Sequence, residues 1–225
     1  MKALLIGSIL LLLNLNTFSQ TKIVKSSPKN WTRVTIDGHI GFIDDNGNTV
    51  VKPIYSTIDK FDEYQKNWAL VSWGENNTLG FINSKGNEVV RPVYSTIDKF
   101  DEYQENWALV SWGTNSTLGF IDNKGNEVVK PIYSTIDKFG EYQENWALVS
   151  RGINNTLGFI DNKGNEVVRP IYSTIDKFGE YHEGWALIST ENGQKFGFID
   201  SRGNEIVKPE YESIEDLKEN SIIPK

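Results

Sequence analysis

Catalysis asks for a few unlike groups converging on one spot, so the reactive residue types come first. The chain holds two histidines, His39 and His182, and no cysteine. His39 follows an Asp37-Gly38 turn signal, whereas His182 ends a Gly-Glu-Tyr-His stretch in a place where similar stretches carry Gln104 and Gln143. Either could pair with an acidic residue as a general acid-base. Lacking a shared setting, they read better as two incidental exposed imidazoles. No Gly-rich phosphate loop, His-Glu-x-x-His or nucleophile elbow is present. The lack of thiols removes disulfides, thiolate metal sites and a lipid-attachment cysteine. On these residues the chain is expected not to be an enzyme.

Oxygen ligands are more plentiful. Asp44, Asp122, Asp161 and Asp200 each open a turn, and Glu88, Glu127, Glu166 and Glu205 recur beyond such turns. Stacked, they would form carboxylate ladders of a kind that suits calcium. Ordinary turn chemistry explains the aspartates equally well, and Asn83 replaces one of them. No metal and no cofactor is assigned. The sharper candidate is aromatic. Trp73, Trp112, Arg151 and Thr190 each lie five residues after a tryptophan: Trp68, Trp107, Trp146 and Trp185. Brought onto one rim, Trp73, Trp112 and Arg151 would make a stacking platform for a sugar ring or for another protein's side chains. The plainer reading is that they shield a hairpin edge.

What must position these residues is a repeated unit. The stretch Glu105–Gln143 matches Lys66–Gln104 at 31 of 39 positions and Glu144–His182 at 34 of 39. Gly-Phe pairs stand at Gly41, Gly80, Gly119, Gly158 and Gly197, and Pro53, Pro92, Pro131, Pro170 and Pro209 keep the same 39-residue step. Trp31 to Gly41 is two residues shorter than the later equivalents, which places a length change in the loop between them and predicts that this loop is exposed. Within one copy, Trp107–Ser111 alternates large and small residues and reads as a first strand. Leu118–Ile121 is a second and Glu127–Val129 a third, joined by an Asp122–Gly125 turn. Pro131 cannot donate to a ladder and is expected to end its strand or sit at an edge. Tyr133, Ile136 and Phe139 are spaced by three and read as an irregular connector or short fourth strand under the next copy. One copy has too few apolar side chains to offset its own ordering, so copies must stack.

Residues 1–20 carry Lys2, an apolar run from Ala3 to Leu13, and small residues Thr17 and Ser19, the pattern of a secretory signal peptide cleaved after Ser19 or nearby. The mature protein is therefore expected to be secreted or periplasmic, without stable membrane insertion. Residues 21–30 form a polar linker with Ile23 and Val24 as its only apolar anchors, able to supply a partial capping strand. Five β repeats follow, over residues 31–67, 68–106, 107–145, 146–184 and 185–220, with a C-terminal cap at 221–225. Of 225 residues, 38% are apolar and 24% charged, enough to build a core. The net charge of −7 argues against a nucleic-acid partner.

Segments such as Trp107-Ala-Leu-Val, Leu118-Gly-Phe-Ile-Asp, Lys124-Gly-Asn-Glu-Val-Val and Pro131-Ile-Tyr resemble the WG repeat, a β-rich bacterial repeat family, over about residues 31 to 217. The tryptophan that names that family precedes the Gly of the Gly-Phe pair, and here those places hold Ile40, Leu79, Leu118, Leu157 and Phe196. The resemblance implies a binding or scaffolding role and no established reaction. Its variable repeat number favours an open stack. The expected fold is thus all-β, five antiparallel β-meander repeats in an open solenoid-like stack, with a five-bladed propeller as the alternative. Two functions follow: an interaction or scaffold module for another protein, or a glycan-binding protein that uses the Trp rim.

Overall fold

Every first strand of the array after the leading copy is buried on both of its faces, and the rest of the architecture follows from that. The computed structural model describes residue 28 and residues 30–190 and 193–223. The expected leader, nearly all of the linker and Pro224 lie outside these residues. Copy one supplies β1 (Trp31–Ile36), β2 (His39–Asp44) and β3 (Thr49–Ile58). Copy two supplies β4 (Trp68–Trp73), β5 (Thr78–Asn83), β6 (Glu88–Tyr94) and β7 (Thr96–Ile97). Copy three has β8 (Trp107–Trp112), β9 (Thr117–Asp122), β10 (Glu127–Tyr133) and β11 (Thr135–Ile136). Copy four has β12 (Trp146–Arg151), β13 (Thr156–Asp161), β14 (Glu166–Tyr172) and β15 (Thr174–Ile175). Copy five has β16 (Trp185–Ser189), β17 (Phe196–Asp200) and β18 (Glu205–Tyr211), followed by α1 (Ile214–Glu219).

All pairings are antiparallel, and each short fourth strand pairs with the first strand of the next copy. The connector is therefore part of a sheet that spans two copies. In copy one it is continuous with β3, which merges copies one and two into six strands. A hydroxyl pair marks each seam: Thr57–Ser72 at 2.8 Å, then Thr96–Ser111, Thr135–Ser150 and Thr174–Ser189 at 2.7 Å. That pairing satisfies a serine buried inside an apolar strand, which would otherwise cost its desolvation.

The core clusters show why the first strand alternates large with small. Trp68, Leu70, Phe81, Val90, Tyr94, Ile97 and Phe100 of copy two close over Ala108, Val110 and Ile121 of copy three. Copies three and four repeat the arrangement. Each hollow is thus filled by bulky residues from one copy and by Ala, Val and Ile from the next. An aromatic group sits in every hollow: Trp107 lies 5.4 Å from Phe120 and 5.8 Å from Phe139, centroid to centroid.

Pro131 does not end its strand. β10 runs on to Tyr133, and the proline sits in a bulge, where Val129 to Tyr133 faces only Phe120 to Leu118 on β9. The bulge carries the Val129 carbonyl across Gly119, where a Cβ would lie 2.4 Å from that oxygen. Only glycine fits there, which explains the periodic Gly-Phe.

Among the described residues, β1 pairs only with β2 and β18 only with β17, and no core cluster joins copy one to copy five, so the repeats form an open stack. After β18, α1 replaces the short fourth strand. Ser213 caps it through Oγ, which accepts from Asp216 N–H at 3.0 Å, and Leu217 and Ile223 pack on Leu187 and Phe198. They fill the hollow that another copy would have filled.

Candidate functional site

The first loop of each copy forms one rim of the array. In copy one it is the two-residue turn Asp37-Gly38, with φ of 49° and 78°. In copy two Gly74–Asn77 takes its place, exposed throughout, with Asn77 N–H donating to Gly74 O. Trp73, Trp112 and Arg151 are the last residues of β4, β8 and β12, directly opposite Thr78, Thr117 and Thr156. Trp73 is 50% and Trp112 54% exposed, Arg151 is exposed, and Thr190 is half-buried just past β16. The threonines fix the rim. Thr78 Oγ1 lies 2.8 Å from the Pro92 carbonyl and 3.2 Å from that of Trp73, and Thr156 Oγ1 lies 2.7 Å from Pro170 O and 3.2 Å from Arg151 O.

Sequence reasoning missed half of this surface. Ile36 ends β1 at the same repeat position as the two tryptophans and is exposed. Ile54, Val93, Ile132 and Ile171, each between the proline and tyrosine of a third strand, are exposed as well. Third strands reach the rim beside the first strands of the next copy, for Tyr55 faces Trp73 across the β3–β4 pair. The loop residue Ile153 stands 98% exposed just past Arg151. Among the described residues, every exposed large apolar side chain except Ile206 belongs to this rim. The available signal was the apolar residue between Pro and Tyr in four copies, absent only from the fifth, which has Glu210.

The other candidates are held by local structure. His39 Nδ1 lies 3.0 Å from Asp37 O. His182 Nδ1 lies 3.0 Å from Glu183 O, with its ring on Trp185 at 4.3 Å. The turn aspartates spend their carboxylates on the turn: Asp122 Oδ1 accepts from the N–H groups of Lys124 (2.9 Å) and Asn126 (2.8 Å), and Oδ2 from Asn126 Nδ2. Burial pushes the Asp122 carboxyl up, but these hydrogen bonds outweigh it and hold it below the usual range. Asn83 makes the same backbone contacts with Lys85 and Asn87. The glutamates of the proposed ladder lie elsewhere, beside the tyrosines of the preceding copy: burial and then the Glu205 charge push Tyr172 up to about 12. No group of three or more His, Asp or Glu placed to hold a metal occurs among the described residues.

A second periodic feature is acidic. Asp59, Asp98, Asp137 and Asp176 are raised by burial and then by the charge of Glu63, Glu102, Glu141 and Glu180. Four equivalent pairs in four copies point to architecture, not to one reactive centre.

The model of the WG containing repeat matches residues 40–72, 80–111, 119–152, 158–193 and 196–223, more than half of the chain. The chain belongs to the WG repeat family. Trp73 and Trp112 fall between the matched WG segments, whereas Arg151 falls within one. A search of curated proteins finds no match. Among solved structures, dihydro-heme d1 dehydrogenase NirN in complex with DHE is 14% identical, over 87% of this chain and 47% of that one, with a TM-score of 0.32. Kluyveromyces lactis Hsv2 is 12% identical, over 81% of this chain and 60% of that one, with a TM-score of 0.27. The WG array thus spans about half of the first and three fifths of the second, and likeness at these scores carries no inference about it.

Proposed function

We propose that this WG repeat protein is an exported, non-enzymatic interaction module that binds another protein along its rim. The observation that carries this reading is the exposure of Ile36, Ile54, Trp73, Val93, Trp112 and Ile132 at the rim, whereas among the described residues Ile206 is the only exposed large apolar side chain away from it. Contiguous exposed apolar surface on an otherwise well-packed protein marks an interaction site. Tryptophan supplies much contact area at low entropic cost, which makes Trp73 and Trp112 natural anchors. Export rests on the leader pattern of residues 1–20. The lack of enzymatic activity rests on the use of the histidines and aspartates by their own turns.

The glycan-binding reading is favoured by the same two indoles, since sugar rings stack on exposed aromatic faces. The experiment that separates the readings compares the mature chain with Trp73→Ala/Trp112→Ala on a glycan array and against immobilised envelope proteins. Protein binding lost in the double variant supports the interaction module, and glycan binding lost in the same variant moves the assignment to a lectin. Either binding unchanged by the substitutions removes the rim from the account. Ile54→Ser/Ile132→Ser separates the two further, because an apolar protein partner covers these side chains and a sugar on the indoles does not need them.

A further inference from the structure

A row of cations runs beside the apolar residues of the rim. Lys52, Arg91, Lys130, Arg169 and Lys208 hold one place in the five third strands, each just before the proline. All five are exposed. The side chain alternates between lysine and arginine while the charge stays, in a chain whose net charge is −7. Among the described residues none of the five joins an ion pair. Two residues further along each strand stand Ile54, Val93, Ile132, Ile171 and Glu210, of which the first four are exposed apolar side chains of the rim. Glu210 takes the apolar place in copy five, and there the row of cation–apolar pairs ends.

The glutamate of each such strand stands apart from the rim. Glu127 opens the strand that carries Lys130 and lies opposite Ile121, whereas Tyr133 lies opposite Leu118, beside the rim loop. Arg151 adds a cation from that loop side. Burial and then the Glu166 charge push the Tyr133 phenol up, and Arg151 of the next copy pulls it down, so its guanidinium acts next to Ile132. Third strands of copies one and two lie three ladder steps apart in one sheet, β3-β4-β5-β6, which at about 4.8 Å a step is about 14 Å. An extended peptide rises about 3.3 Å per residue, so about four of its residues match one copy.

We propose that the partner at the rim is an extended acidic polypeptide, whose carboxylates meet the Lys/Arg row and whose apolar side chains cover the isoleucines and indoles. This rests on the rim reading above and names the chemistry of its partner. Charge complementarity selects the acid. The apolar member of each pair selects a polypeptide among polyanions, because an acidic sugar chain or a nucleic acid brings no aliphatic side chains to Ile54, Val93, Ile132 and Ile171. A second copy of this chain fits less well. It exposes carboxylates along its connectors, as at Asp59, Glu63 and Glu102, but among the described residues its exposed large apolar side chains, Ile206 apart, lie on the rim itself. The fitting segment carries one carboxylate and one apolar side chain about every four residues.

A fluorescein-labelled peptide of repeated Ser-Glu-Leu-Gly, titrated with the intact chain and read by anisotropy, tests this. Binding is expected at low salt and should weaken at least about tenfold between ~0.05 and ~0.5 M salt, as the Debye length falls from about 14 to about 4 Å. Arg91→Ser/Lys130→Ser should weaken it at least about fivefold with the unfolding midpoint unchanged, since both side chains are exposed. Peptides of repeated Ser-Gln-Leu-Gly and Ser-Glu-Ser-Gly should each bind at least about tenfold more weakly, the first for want of charge and the second for want of apolar cover. Equal binding by either control peptide, binding unchanged in Arg91→Ser/Lys130→Ser, or no binding of the Ser-Glu-Leu-Gly peptide at low salt overturns the proposal. An envelope protein whose capture is lost in Trp73→Ala/Trp112→Ala but kept in Arg91→Ser/Lys130→Ser leaves the rim as the binding surface and overturns the acidic partner alone.

Discussion

Gly86→Ala measured against Gly47→Ala isolates what one copy gains from sitting on its neighbour. The two glycines hold the same place in the same turn, with φ of 84° and 81°. Alanine at either one pays the cost of left-handed backbone, about 1–2 kcal/mol. Their surroundings differ because the turn of Gly86 rests on β3 of copy one, whereas among the described residues nothing lies against Gly47. A Cβ at Gly47 meets nothing within 4 Å, whereas at Gly86 it would lie 2.4 Å from the Val50 carbonyl oxygen and 3.0 Å from Val50 Cγ1. A carbon and a carbonyl oxygen settle at about 3.3–3.6 Å, so roughly 1 Å must be found by lifting the turn or displacing β3. Val50 lies within the paired part of β3, between Thr49 and Val51, so the strain falls on backbone held from its other side. Overpacking of that kind costs about 1–3 kcal/mol, and with main chain on one side of the clash the upper part of the range applies. Urea unfolding followed by tryptophan fluorescence should show Gly47→Ala losing about 1–2 kcal/mol and Gly86→Ala about 2–3 kcal/mol more, with similar m-values. Equal losses in the two variants would refute the reasoning, because they would mean that the turn of copy two does not bear on copy one.

Asp122→Asn should cost little and Asp122→Ala about 0.5–2 kcal/mol, the usual loss when a side-chain acceptor of orphan turn N–H groups is removed. Asn83 already plays this part in copy two, and thermal unfolding of the pair of variants checks it. Tyr172 has its pKa raised from 10 to about 12, by burial first and then by Glu205. The folded state thus prefers the neutral phenol, so this contribution to stability is complete below pH 10 and is lost as pH rises through 12. Ultraviolet titration of Glu205→Gln should find Tyr172 ionising earlier than in the parent yet still above its usual value, because burial remains. On the acid side, Asp122 and Asp161 are held low by their turns despite burial, so their contribution is present above the ordinary aspartate range and is lost as pH falls through the folded pKa. Asp122→Asn should flatten part of that acid loss in a stability-against-pH series.

Much of the fold was legible because the chain repeats its own evidence five times. Strand order, the Asp–Gly turn and the exposed first loop all follow from residue types that act locally. The features that were not legible depend on a neighbouring copy. Val128 and Ile132 are both apolar residues of one third strand, yet Val128 packs with the core of its copy while Ile132 faces solvent. A bulge at Pro131 lies between them and breaks the alternation on which a sequence reading relies. Ser111 is buried in the first strand of its copy, and the hydroxyl that satisfies it belongs to Thr96 of the previous copy, a partner to which nothing in its own strand points. Ile36 went unseen on the rim because its neighbours in register are tryptophans and its own loop is shorter, so no residue type flagged the match.

The variation among copies bears on where recognition resides. Core places hardly change: Phe81, Phe120, Phe159 and Phe198 are identical and fully buried. The rim place changes in type, from Ile36 through Trp73 and Trp112 to Arg151 and Thr190, and the third-strand place runs from Ile54, Val93, Ile132 and Ile171 to Glu210. A hollow between two copies accepts one shape, so departures there are costly. The rim makes no such demand, and its residues are free to differ. The outcome is an edge that is apolar and aromatic over its first copies and polar at its last. A surface with such a gradient offers a bound chain two unequal ends, so it can fix the direction of an extended partner as well as its position. A platform of identical sugar-stacking subsites would give no reason for the change at Arg151. That asymmetry is the physical ground for preferring a protein partner over a repeating glycan.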